Sequence, residues 1–223
     1  MLSEVAARPL LCPKLVTQAA LEHRTLFRGD RDRYVYLALA RRAVQRFSWS
    51  ISGYCLLPER THLLLSVPRP EDLHTGIRWL RRSFSSYLRD DRGDRRRLWH
   101  AGYGVRELAG QQRWPALACI ELEPQRIGLA AAPGDYPWSS ASQHVAGQRP
   151  YVPLADEAWG SNFGAERWRA HLDTAPGDFE YWRMLRWTVT PDFTPAWRSQ
   201  RTCGVEAGLS EPAERQASLS FGD

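Results

Sequence analysis

Lysine is nearly absent from this chain. Lys14 is the single lysine, and the other 29 basic residues are arginines. Codon bias contributes to such an imbalance, but the chemistry differs as well: guanidinium is planar, weakly hydrated and able to grip a phosphate with two hydrogen bonds. Cysteine is scarce. Cys12, Cys55, Cys119 and Cys203 lie far apart and form no C-x-x-C pair, which excludes a disulfide scaffold and gives no sign of a zinc site or redox couple. That usage suits a reducing compartment, and cytoplasm is the expected location. No apolar run approaches the roughly 18 residues that a membrane span needs, and the mean hydropathy is −0.48. The first residues, MLSEVAARPLLCPK, carry an acid before their only arginine and too short an apolar stretch for a signal peptide. There is no internal repeat. What is present is a globular composition, 43% apolar and 11% aromatic over 223 residues, which excludes general disorder. The length allows one large domain, or a domain with an appendage. The formal charge of +5 points only weakly to a nucleic-acid partner.

Periodicity lays out the elements. A short strand is expected at 15–21 and a helix from Asp30, as N-cap, to about Phe47, with Leu37, Ala40, Val44 and Phe47 on one face. WSISGYCLL (49–57) and RTHLLLSV (60–67) read as an antiparallel hairpin around Pro58 and Glu59. A long helix, about 71–90, comes after Pro68 and Pro70. Leu73, Ile77, Leu80, Phe84 and Leu88 form its apolar stripe, and Arg78, Arg82, Ser85 and Arg89 recur on another face. A charged loop (89–97), a strand (103–108) and a shorter helix (112–123) come next. This order predicts an α+β sandwich with an antiparallel sheet covered on one face. The main unit is expected at 15–147, after an irregular lead-in at 1–14. A helical appendage at 148–198, packed by Trp159, Trp168, Trp182, Trp187 and Trp197, is followed by a disordered tail at 199–223.

Three stretches taken in order carry more specific information: YCLLPERTHLLL (54–65), RRLWHAGYG (96–104) and ACIELEPQRIGLAAAPGDYPWSSASQHVAG (118–147). Together they resemble the REP-associated tyrosine transposases, chromosomal relatives of the single-tyrosine HUH transposases of insertion sequences. That pattern runs Y-C-L-M-P-N-H-x-H-L-L-L, L-W-Q-x-R-F, Y-I-x-L-N-P-V-R-A-G-L and D-Y-P-W-S-S. The resemblance spans about residues 30–147 and implies a ferredoxin-like HUH-nuclease domain. It also implies a protein that recognises single-stranded or hairpin DNA, cuts the strand through a tyrosine nucleophile and rejoins it. Mg²⁺ or Mn²⁺, held by two histidines at i and i+2 on a strand face, would polarise the phosphate.

Carried over residue by residue, the pattern breaks at two positions. The second histidine falls on His62, but the first falls on Arg60. The tyrosine falls on Cys119, and the asparagine four residues later on Glu123, on the same helix face. His62 and Glu123 could hold a hard cation only weakly, and Arg60 sets a fixed positive charge where the metal belongs. The resemblance with these substitutions implies a DNA-binding descendant impaired in cleavage. An active transposase with a rebuilt site is one alternative, and a non-enzymatic interaction module another. Cys119 reads as a small helix residue rather than a nucleophile, with Tyr103 and Tyr136 as displaced candidates that packing also explains. His62 reads either as a strand histidine retained from an active ancestor or as a working ligand.

DNA contacts are expected from Arg78, Arg82, Arg89, Arg95, Arg96 and Arg97, with Trp99 among them able to stack on an unpaired base. Asp90, Asp91 and Asp94 in the same stretch offset part of that charge. His100 is either structural or close to DNA. No membrane partner is expected, and both a monomer and a homodimer are compatible with the family.

Overall fold

The structure is a computed structural model, and it describes residues 12–21, 24–109, 112–155 and 157–175. Its elements are β1 (Lys14–Ala19), α1 (Asp30–Phe47), β2 (Ser50–Leu56), β3 (Arg60–Ser66), α2 (Pro70–Arg92) and β4 (Gly104–Glu107), followed by α3 (Arg113–Arg126), α4 (Ala141–His144), α5 (Glu157–Asn162) and α6 (Ala165–Asp173). The four strands form one antiparallel sheet in the order β2-β3-β1-β4. This is the α+β class that the element order predicts, with the hairpin at the expected turn. No helix among the described residues is long and apolar enough to cross a membrane.

The expected one-sided cover is corrected. Strand residues alternate faces, and β3 uses both of its faces. Thr61 accepts or donates a hydrogen bond with Tyr36 of α1 on one side, while Arg60 and His62 reach Glu123 of α3 on the other. Helices therefore lie on both faces, which is why β3 is buried from Arg60 through Leu65. Helix α1 starts one residue earlier than a cap at Asp30 would place it. Gly29 is the N-cap, in extended conformation, and Asp30 is the first helical residue. The acid that serves this end is Asp32, which accepts the Arg28 backbone N–H at 2.7 Å and pairs with Arg92.

Two glycines fix how α2 sits and where it stops. Gly76 lies where a Cβ would come within 2.3 Å of the Trp49 ring, so the helix seats closely there. At the other end Gly93, with φ of +65°, ends the helix in the left-handed conformation glycine tolerates and turns the chain back.

The D-Y-P-W-S-S block (135–140) docks on the sheet edge. The Tyr136 hydroxyl donates to the Leu56 carbonyl at 2.7 Å, and Ser140 Oγ accepts the Tyr54 N–H at 3.1 Å. Behind it lies a buried carboxylate that the sequence did not single out. Glu121 takes Ser140 Oγ at 2.5 Å, His144 Nδ1 at 2.6 Å and Trp168 Nε1 at 2.7 Å. Trp168, on α6, is thereby part of the main core. Trp182, Trp187 and Trp197, the expected tail at 199–223 and residues 1–11 of the expected lead-in lie outside the described residues.

Candidate functional site

The positions where the sequence pattern expects chemistry do meet. β3 directs Arg60 and His62 to one face, and α3 crosses that face with Cys119 and Glu123 one turn apart. Arg60 Nε donates to Glu123 Oε1 at 2.8 Å, and Nη2 reaches the same oxygen. His62 Nε2 lies 2.8 Å from Glu123 Oε2, and His62 Nδ1 is 2.9 Å from Thr17 Oγ1 on the neighbouring strand. The result is a closed ion pair and not a cleft: Glu123 is 0% exposed. Burial opposes its ionisation, but the Arg60 and His62 side chains more than offset that and hold its pKa at about 2.

These residues do not fit a divalent metal. Both carboxylate oxygens of Glu123 are engaged, and a cation beside them would sit against the Arg60 guanidinium. The described residues contain no grouping of three or more His, Cys, Asp or Glu side chains suited to a metal ion.

Cys119 is equally closed, 1% exposed. Burial pushes its thiol up to about 11 against the opposing pull of Arg126, so the nucleophilic thiolate is suppressed near neutral pH. Cys55 is buried and shifted upward by desolvation as well, whereas Cys12 is exposed. In native protein at pH 8, iodoacetamide should label Cys12 and spare Cys55 and Cys119, as read by peptide mass spectrometry. Labelling of Cys119 as fast as Cys12 would mean that the site opens.

The second set of expected residues converges elsewhere, on an open cleft of about 810 Å³ between α2 and the chain that returns after Gly93. Arg78, Arg82 and Arg89 line it from the helix, and Arg95, Arg96 and Arg97 from the returning segment. All six are exposed. One of the aspartates that offset this charge in the sequence is drawn away from it, and another, Asp94, stays paired with Arg96 of the cleft. Asp91 pairs with Arg31 at 3.0 Å, and Asp94 is held by Arg24 and Arg96. No acidic residue lines the cleft. Among the described residues, Arg96 alone of these six has a carboxylate partner.

Trp99 lies in the wall but is only 6% exposed, its indole N–H shared by Ser85 Oγ at 3.0 Å and the Arg81 carbonyl at 3.1 Å. The Arg81 guanidinium sits 5.2 Å from the ring centroid. Trp99 thus shapes the wall and offers little open face for a base. Arg81 and His74 also line the cleft and were not anticipated. His74 could have been found by extending the 78–82 stripe back one turn. Arg81 lies off the stripe and binds the carbonyls of His100 at 2.5 Å and Gly102 at 3.2 Å, fastening the returning loop to α2. At the cleft's end the Tyr103 hydroxyl is 2.5 Å from His74 Nδ1.

A solved structure of a REP-associated tyrosine transposase bound to a REP hairpin is similar to this chain, with a TM-score of 0.52 and 17% identity. The match covers 67% of this chain and 91% of that one. At this identity the likeness is one of fold. No protein-family model and no curated protein matches the chain.

Proposed function

We propose that this protein binds single-stranded or hairpin DNA in the arginine-lined cleft and does not cleave it at the position of the family tyrosine. The observation that carries the reading is the cleft itself: six exposed guanidinium groups on two facing segments, five of them without a carboxylate partner among the described residues. Such an array matches the spaced phosphates of a strand and favours Arg over Lys for bidentate contact. The fold neighbour, itself a transposase solved with a REP hairpin, supports the choice of a nucleic-acid hairpin. Impaired cleavage is supported by the Arg60–Glu123 ion pair, which takes the place of a metal, and by the suppressed Cys119 thiol.

One observation favours a second reading, an active strand transferase with a rebuilt site. Tyr103 lies in the cleft with the His74 imidazole positioned to accept its proton, and attack by its oxygen on a phosphodiester would form a 5′-phosphotyrosine as the P–O bond to the departing 3′-oxygen breaks, releasing a DNA 3′-hydroxyl. One experiment separates the two. A labelled DNA hairpin carrying an unpaired arm is incubated with the protein and Mg²⁺ or Mn²⁺, then resolved under native and denaturing conditions. The first reading expects salt-sensitive binding on the native gel and no adduct on the denaturing gel. A covalent adduct abolished by Tyr103→Phe would establish the second. Absence of binding to any hairpin or single strand would leave an interaction module.

A further inference from the structure

Among the described residues the exposed large hydrophobic side chains are Tyr34, Leu129 and Tyr151, and two of the three belong to one patch. Tyr151 stacks on Trp138 with centroids 5.7 Å apart and planes 16° from parallel. Tyr34 stands edge-on to both, at 4.9 Å and 5.3 Å. Tyr34 is 50% exposed and Tyr151 38%, while Trp138 is buried beneath them. Core packing accounts for Trp138 but not for two aromatic rings left open to water.

The patch is connected to the cleft. A second hollow of about 450 Å³, basic on balance, shares Ser85, Arg96 and Leu98 with it and adds Arg24, Arg28, Arg92 and Asp94, with Phe27 in its wall. The Arg33 guanidinium lies 5.6 Å from the Phe27 ring centroid and 5.6 Å from that of Trp138, joining the hollow's wall to the aromatic rings. Of these arginines Arg28 is exposed and its guanidinium has no carboxylate partner among the described residues, whereas Arg24 and Arg96 hold Asp94, Arg92 holds Asp32 and Arg33 holds Asp30.

We propose, on the reading that the cleft binds nucleic acid, that Tyr34 and Tyr151, backed by the buried Trp138, form a stacking ledge for unpaired bases of the same strand. The exposed Arg28 and the cleft arginines suit phosphates of a strand, and the exposed tyrosine rings suit bases, whose stacking is tolerant of sequence. The occupant is therefore the single-stranded arm of a hairpin rather than its duplex stem, whose bases are already stacked on one another.

The test compares two DNA hairpins with the same stem, one blunt and one bearing an unpaired arm of about eight nucleotides, by fluorescence anisotropy. A second readout places 2-aminopurine in the arm, where stacking on an aromatic ring quenches its emission. Wild-type protein should bind the armed hairpin more tightly and quench the probe. Tyr34→Ala with Tyr151→Ala should lose about tenfold in affinity for the armed hairpin, lose the quenching and leave the blunt hairpin unaffected. Tyr34→Phe with Tyr151→Phe, which keeps both rings, should behave as wild type and shows that the fold tolerates change at this patch. Equal loss for both hairpins, unchanged binding by the alanine variant, or loss of a dimer in place of DNA affinity would each overturn the ledge. If Arg78→Ala with Arg82→Ala weakens both hairpins while the tyrosine changes weaken neither, the ledge falls and the cleft stands. If wild-type protein binds neither hairpin, both fall.

Discussion

Replacing Arg60 with alanine is expected to destabilise the protein by about 3–5 kcal/mol at pH 7, because it leaves a fully buried carboxylate without its guanidinium. Glu123 keeps its contact with His62 Nε2, but the Arg60 hydrogen bonds to Oε1 disappear. Glu123 itself has no exposed surface, so its carboxylate loses its strongest compensating contacts. Replacing both partners with apolar residues of similar size, Arg60→Met with Glu123→Met, should cost much less than the single change, because neither charge is then stranded.

The pH dependence comes from the direction of the shift. With a folded pKa of about 2 against an ordinary value of 4.5, ionised Glu123 contributes its full stabilisation above pH 4.5. That contribution is lost as pH falls toward 2. In Arg60→Ala burial dominates, the folded pKa rises, and the carboxyl takes up its proton at higher pH. The stability gap between the two proteins should therefore narrow from pH 7 to pH 3 in urea unfolding. A gap below about 1 kcal/mol at pH 7, within the range of exposed ion pairs, would show that the ion pair does not hold α3 to the sheet.

Removing three of the cleft arginines should have the larger functional effect. Arg78→Ala, Arg82→Ala and Arg89→Ala together are expected to lower affinity for hairpin DNA on the order of a hundredfold near physiological salt. They should also reduce the slope of log affinity against log salt by about 3, close to one unit for each phosphate contact removed. The control is Arg41→Ala with Arg42→Ala, an exposed pair on α1 that lines neither basic hollow. Its effect should be small and should reflect net charge alone. Equal losses from the two sets would mean that the protein holds DNA by diffuse charge and not in the cleft.

The residues of the two sites were legible in the sequence to different degrees. Arg78, Arg82 and Arg89 announce themselves because helical spacing brings residues three and four apart onto one face, and the face is exposed whatever else the helix packs against. The returning arginines were visible as a charge run, but their net effect was not. Asp90, Asp91 and Asp94 interleave with them in sequence, and only the folded chain decides that Asp91 turns away to Arg31 while Asp94 bridges Arg24 and the cleft's Arg96. Trp99 looked available for stacking because burial of a loop tryptophan depends on what folds over it. Asp30 looked like a helix cap because cap preferences are local, whereas the acid used, Asp32, is chosen by Arg28 and Arg92.

The sequence by itself determined the α+β order, the hairpin around Pro58, the apolar and arginine stripes of α2, and the placing of Arg60 and His62 on one strand face. These are consequences of backbone periodicity, which acts over a few residues. Only the tertiary structure decided that the sheet is covered on both faces, that Arg60 bonds Glu123 across 63 positions of chain, and that Asp91 turns from the cleft to Arg31. Charged groups choose partners by distance in space and by loss of water, and neither quantity exists until the helices have packed.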